Sequence, residues 1–235
     1  MTEARPSTAV PVIAIDGPSG SGKGTISRAV ANTLKWHLLD SGALYRLVAL
    51  AARRAGVGLD EAAALEPLAR CLDIRFGSGP RGEERVWLDG ADVTRDIRTE
   101  AAGGDASRVA AIPAVRAALL ARQRAFAVPP GLVADGRDMG TAVFPGAEVK
   151  IFLTASAEER AQRRHNQLKE KGVAATLAAL SLEIAERDRR DISRSASPLV
   201  ASADAVLLDT TGMPVNAVVE RVLAIARERW VVDGN

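Results

Sequence analysis

One cysteine and two histidines are all that the 235-residue chain offers to a structural metal or a redox couple. Cys71 cannot close an intramolecular disulfide, and with only His37 and His165 it cannot build a Cys/His zinc cage, a usage that suits a reducing cytoplasm. Aromatic residues are scarce as well. Three tryptophans, one tyrosine and four phenylalanines are too few for a broad base-stacking platform. Charge of a single sign is also missing. With 31 basic and 29 acidic residues the formal charge is +2, which gives no general attraction to nucleic acid or an anionic membrane, so any basic site must be local. No apolar run approaches the ~18 residues of a membrane span, and the polar stretch 1–10, with Glu3 and Pro6, lacks the hydrophobic length of a signal peptide. The partners to expect are small molecules, in the cytoplasm, with neither nucleic acid nor membrane involved. What remains is 47% hydrophobic and 26% charged, the make-up of an ordinary globular chain with one large domain or a domain carrying an insertion.

The hydrophobic pattern gives the class. VPVIAID (10–16) is a nearly continuous apolar run, which suits a strand buried on both faces of a parallel sheet. After Gly22, Ile26, Ala29, Val30, Thr33 and Leu34 mark one face of a helix; WHLLD (36–40) gives a second strand, and Leu44, Leu47, Val48 and Ala51 a second helix ending near Gly56. Strand, helix, strand, helix predicts an α/β fold with a parallel sheet. Between Leu72 and Thr99 the pattern changes to short segments around the turn-rich GSGPRGEE, which read as antiparallel strands of an insert, taken as 65–98, within a single domain spanning 1–235. Helical patterning resumes over 99–126, bent or broken at Pro113, and again over 157–194, interrupted at Gly172. Segments 132–134, 150–154 and 205–208 supply three more strands, and 214–229 a closing helix. Cys71 reads as a small core residue, the tryptophans and His37 as packing groups, and His165 as solvent-facing.

Between the first strand and the first helix stands Gly17-Pro18-Ser19-Gly20-Ser21-Gly22-Lys23-Gly24-Thr25. This is the context a phosphate-binding loop demands. Glycines let backbone N–H groups wrap phosphate oxygens, the helix N-terminus adds its positive dipole end, and Lys23 can bridge β- and γ-phosphates from what reads as an exposed loop. A nucleoside triphosphate is the expected ligand. The usual Ser or Thr directly after the lysine is absent, because Gly24 stands there and Thr25 follows. Direct hydroxyl coordination of Mg²⁺ is therefore open. The ion would be held mostly by phosphates and water, with Thr25, Asp16 and Asp135 as residues that could meet it through water. Arg46 and Arg137 follow predicted strands at the carboxyl edge of the sheet, where ligands of α/β proteins collect. Arg187, Arg190 and Arg194 fall at i, i+3 and i+7 on one helical face, and Arg160, Arg163 and Arg164 are grouped one helix earlier.

The GxxGxGKGT loop resembles that of the nucleoside monophosphate kinases. Further segments narrow the resemblance to bacterial cytidylate kinases: LLDSGALYR (38–46), SRVAAIPAVR (107–116), ADGRDMGTAVFP (134–145), EERAQRR (158–164) and ERDRRDISRSASPL (186–199). The resemblance implies a phosphate-loop kinase with a five-stranded parallel sheet flanked by helices, an antiparallel β insert in the monophosphate-binding region and a helical, arginine-rich lid over 158–194. It implies a monomer that transfers the ATP γ-phosphate to CMP or dCMP. Loop residues 17–25 with Arg163 and Arg164 would then serve ATP. Ser41, Tyr45, Arg46, Ser107, Arg116, Arg137, Asp138, Arg187, Asp191 and Arg194 would serve CMP, and Lys23, Arg137, Arg163 and Arg194 the transfer itself. Ser107, Arg116 and Asp138 fall to the cytosine, with Asp138 accepting from its amine. Other monophosphate kinases and a nucleotide-hydrolysing switch remain as alternatives.

Overall fold

The computed structural model describes residues 10–80, 83–170 and 172–232. The stretch 1–10 read as polar and leaderless lies almost wholly outside them, as does part of the turn GSGPRGEE. In chain order the elements are β1 (Val12–Asp16), α1 (Lys23–Leu34), β2 (His37–Asp40), α2 (Ser41–Arg54), α3 (Ala62–Cys71), β3 (Ile74–Ser78), β4 (Glu84–Leu88) and β5 (Ala91–Asp92). There follow α4 (Glu100–Val109), α5 (Pro113–Arg124), β6 (Leu132–Asp135), β7 (Val149–Thr154), α6 (Ala157–Glu170), α7 (Leu177–Ser193), β8 (Val206–Asp209) and α8 (Val215–Val232). They form two compact units, Ser41–Gln123 and the remainder of the chain on either side of it.

The discontinuous unit is built on a five-stranded sheet in the order β2-β6-β1-β7-β8 whose paired strands all run parallel. β1 lies at its centre and all five of its residues are buried, which is why the strand carries no alternation. Ile13, Ile15, Val133, Val149, Ile151 and Leu153 form one core with Ile26 and Val30 of α1 and Val218, Val222 and Ile225 of α8. Chain order reverses on either side of β1, so its carboxyl end opens at a switch point, the position where α/β sheets bind ligands. Trp36 and Trp230 pack at the edge of this core with ring centroids 5.2 Å apart. His37 is exposed and meets the Pro129 carbonyl at 3.0 Å instead of packing, while His165 is half-buried rather than solvent-facing.

The other unit holds α2 to α5 and an antiparallel sheet in the order β3-β4-β5. Its strands occupy 74–92, and the unit that carries them reaches well beyond 65–98. Segment 91–97 supplies only a two-residue strand before a tight helical turn at Asp96–Arg98. Trp87 lies under the Arg75 guanidinium at 3.9 Å. Two expectations need correction here. Cys71 is exposed at the last residue of α3 and is not a core group. The helix expected over 99–126 is two helices, because Pro113 opens α5 at the first position, where a missing N–H costs nothing. Ser107 and Arg116 therefore do not share one helix.

Candidate active site

Gly17 turns off β1 with φ 148°, and a Cβ there would stand 2.0 Å from the Leu153 carbonyl oxygen of β7. Only a residue without a side chain passes that point. Gly22 (φ 91°) then starts α1, its carbonyl accepting the N–H groups of Thr25 and Ile26 at 3.1 Å. The exposure expected of Lys23 is not found. Lys23 is the first residue of α1, is buried, and donates from Nζ to the Pro18 carbonyl at 2.7 Å and to Ser21 Oγ at 3.3 Å. The chain curls back over its own lysine, which the spacing of a loop motif does not reveal. Burial, with the charges of Arg137 and Arg187, lowers its pKa to about 7 against the pull of Asp135 and Asp16.

Two carboxylates face this amine from strand ends. Asp16 is buried and accepts from the Met139 and Gly140 N–H groups, both at 2.8 Å, so it ties the end of β1 to a wide helical turn at Met139–Val143. Burial raises its pKa to about 6, helped by Asp138 and opposed by those two N–H bonds and Lys23. Asp135, at the end of β6, is likewise raised to about 6 by burial and by Asp40 and Asp16, against Lys23 and Arg137. A Cβ at Gly24 would stand 3.3 Å from Asp135 Oδ2. A side chain in place of Gly24, where the general phosphate-loop pattern has Ser or Thr, would meet this carboxylate at close range, and the carboxylate would have to give by a few tenths of an ångström.

The arginines divide. Arg137 donates from Nε to Asp191 Oδ2 at 2.9 Å, and Arg194 from Nε to the Asp191 carbonyl at 3.2 Å. Burial would raise the Asp191 pKa, but the charges of Arg137, Arg194 and Arg187 hold it below the usual carboxylate range. Arg137, Arg187 and Arg194 thus gather around one buried carboxylate, although Arg194 lies past the last turn of α7 with extended backbone and not on the helical face expected for it. Arg190 pairs loosely with Glu186 at 3.8 Å. On α6, Arg163 donates to the Thr210 carbonyl at 2.6 Å, Thr210 Oγ1 at 3.0 Å and the Ser21 carbonyl at 3.3 Å, with Glu159 at 2.9 Å. Arg164 reaches Gln167 Oε1 at 3.0 Å, and Arg160 is buried against the loop at Ser19.

Beside Arg163 a cavity of about 220 Å³ opens between α1, α6 and the start of α8. Ser21, Gly22 and Thr25 form one wall and Ile26, Met213, Val215 and Val218 an apolar one, with Asn166, Gln167 and Thr210 near its polar side. The six lining residues beyond position 163 were not legible in the sequence. They come from two helices and the turn after β8, and no motif joins them.

In the Ser41–Gln123 unit, Ser41 is buried and its Oγ accepts from Gln123 Nε2 at 2.8 Å. Arg46 donates to the Ile97 carbonyl at 2.9 Å. The Arg116 guanidinium lies 5.5 Å from the centre of the Tyr45 ring and donates to the Ala110 carbonyl at 3.2 Å. Ser107, on α4, is buried. Arg116, Tyr45 and the 107–110 stretch are thus joined without a continuous helix. Asp138, buried ahead of the wide turn, belongs to the other unit.

Comparison with known proteins gives a consistent result. Residues 13–228 match the family model described as cytidylate kinase. The cytidylate kinase of Colwellia psychrerythraea strain 34H is 56% identical over 92% of this chain and 96% of its own length. That of Pectobacterium atrosepticum strain SCRI 1043 is 57% identical over 93% and 96%. Among solved structures, a gluconokinase from Sinorhizobium meliloti 1021 covers 94% of this chain and 95% of that one, with a TM-score of 0.46 and 16% identity, a likeness too slight to bear on function.

Proposed function

Since the chain belongs to the cytidylate kinase family, we propose that it moves the γ-phosphoryl group of ATP to CMP or dCMP, releasing ADP and CDP or dCDP. The observation that carries this reading is the set of cations around the phosphate loop: Lys23 beneath it, with Arg137 and Arg187 close enough to depress its pKa. The acceptor is itself a phosphate with a second pKa near ~6, so its oxygen is largely deprotonated at neutral pH and the reaction needs no general base. The obstacle is repulsion between two polyanions. Each unit-charge pair at ~4 Å costs about 1 kcal/mol in water and ~4 kcal/mol at an effective dielectric of 20. Arg137, Arg187 and Arg194 would offset it on the monophosphate side and Lys23 on the donor side, holding the phosphates in line. Phosphate charge would also restore the Lys23 ammonium that burial disfavours.

The apolar wall of Ile26, Met213 and Val218 suits the donor base, with Arg163 at its rim. Asp138 would accept from the cytosine amine, Ser107 and Arg116 would donate to its ring acceptors, and Ser41, Tyr45, Arg46 and Asp191 would hold phosphate and sugar. Mg²⁺ would accompany the triphosphate. No three His, Cys, Asp or Glu side chains gather into a metal site among the described residues. The protein's share is thus Asp135 and Thr25, which would help hold an ion otherwise ligated by phosphate oxygens and water. When bound, the ion supplies charge neutralisation across the phosphates. Asp16, whose two oxygens each accept one backbone N–H from the turn at Met139–Val143, would also meet the ion through water with its remaining lone pairs. The expected setting is a cytoplasmic monomer.

The test is ADP release with ATP and each of CMP, dCMP, UMP, AMP and GMP. Stimulation by CMP and dCMP well above the rest is expected. If no monophosphate exceeds the rate with water alone, the chain hydrolyses nucleotide and the reading fails.

A further inference from the structure

From α6 and α7, Arg160 and Asp188 reach the backbone of the phosphate loop at one residue, Ser19, and the chemistry above uses neither. Ser19 donates its N–H to Asp188 Oδ1 at 3.2 Å, and its carbonyl accepts from Arg160 Nη1 at 2.9 Å. The same Nη1 pairs with Asp188 Oδ2 at 2.5 Å, while Arg160 Nε is anchored on the Ala155 carbonyl at 3.2 Å. The two side chains are only 10% and 14% exposed, so solvent screens them little. Gly20 is pressed onto the same spot: a Cβ there would stand 3.1 Å from Arg160 Cβ and 3.2 Å from the Arg160 carbonyl oxygen. Both main-chain polar groups of one loop residue, and the packing face of the next, are therefore fixed by α6 and α7.

A pair serving only to join two helices would need no contact with the loop. As a net stabiliser, moreover, a buried ion pair is a weak device, because desolvation consumes most of the Coulombic gain; what it fixes well is geometry. The guanidinium does here what an ammonium cannot, serving Ser19, Asp188 and Ala155 at once from one rigid plane. Asp188 lies one turn before Asp191, the carboxylate that holds Arg137, and the Asp188 charge is itself felt at Arg137.

We propose that Arg160 and Asp188 are positioning residues for the phosphoryl donor: the pair sets the shape of loop 17–24 and hence the aim of its N–H groups and of Lys23. This rests on the reading of the loop as the donor site. Small misplacements of a binding group lose large factors in rate, so the consequence belongs on the donor side.

The experiment compares Arg160→Lys and Asp188→Asn with the parent protein. ADP affinity is read by calorimetry, without turnover, beside KM for ATP and KM for CMP at saturating ATP. Arg160→Lys is expected to weaken ADP binding and raise KM for ATP by about tenfold, with KM for CMP changed less than about twofold. Asp188→Asn keeps an acceptor for Ser19 and loses the charge facing Arg160, so a smaller shift of the same kind is expected; it also carries the test if Arg160→Lys fails to fold. A lower Tm with ADP affinity and both KM values unchanged would show that the pair only joins the helices and would overturn the proposal. So would an equal rise in KM for CMP, since the pair would then act through Arg137. A parent protein that phosphorylates no monophosphate refutes the functional reading instead, and the ADP titrations still decide on the pair.

Discussion

Burial and the neighbouring arginines disfavour the Lys23 ammonium by more than Asp135 and Asp16 offset, so it should weaken the empty protein in a pH-dependent way. With its folded pKa near 7, against 10.5 for the free group, the unfolded chain binds more protons between those values. The cost of burying the charge is thus fully present below pH 7 and fades as pH rises from 7 towards 10.5. Lys23→Met should lose at least ~10² in kcat/KM. In ligand-free melts, its Tm relative to the parent should be most favourable below pH 7 and decline above it. A Tm difference independent of pH would mean that the amine is not desolvated as described. Asp16 and Asp135 run the other way: their raised values, about 6 against 3.8, favour the fold below pH 4 and withdraw that advantage between 4 and 6.

Asp138 carries a sharper residue-level claim. If it accepts from the cytosine amine, UMP sets a carbonyl oxygen against it and an acceptor faces an acceptor. Asp138→Ala removes the bond and the repulsion together. It should narrow the CMP-to-UMP ratio of kcat/KM by at least about tenfold, or ~1.4 kcal/mol. Equal fractional losses for the two nucleotides would move base recognition elsewhere and leave Asp138 as a support of the turn that follows it.

Among the elements, α6 and α7 carry Arg163, Arg164 and Arg187, and we propose that the 158–194 region encloses the phosphates as a lid that excludes water. Adding an unreactive bisubstrate analogue should slow hydrogen exchange there; unchanged exchange would count against closure. At this scale it is clear which structures the sequence could announce. β1 was legible because a strand buried on both faces is apolar without alternation, here up to the aspartate that ends it, and the loop after it because glycine and lysine spacing is imposed by backbone geometry. The α4–α5 break was half-legible: Pro113 marked a boundary but not which side of it stayed helical. The burial of Lys23, the departure of Arg194 from α7 and the cavity between α1, α6 and α8 were not legible. Each depends on where the chain returns in space, and the residues concerned look locally like an exposed loop lysine, a helical arginine and ordinary core valines.

For the whole molecule, the two units differ in how their sheets are protected. β1 has a parallel neighbour on each side and no exposed residue, whereas β4 is flanked by a strand with exposed positions and by the two exposed residues of β5. Amides of β4 should therefore exchange at a lower opening free energy than those of β1 as urea is raised. Coincident exchange of the two strands would mean that both sheets open together. The tryptophans allow the same contrast to be followed by light. Trp36 and Trp230 are close and tilted by 54°, so their transitions couple and give a paired circular-dichroism band that belongs to one unit alone. Trp87 stands in the other unit, and its emission answers to the arginine lying over its ring. Loss of the paired band thus follows one unit, the emission of a Trp36→Phe, Trp230→Phe variant follows Trp87 in the other, and any difference between the two midpoints measures how far the halves melt apart.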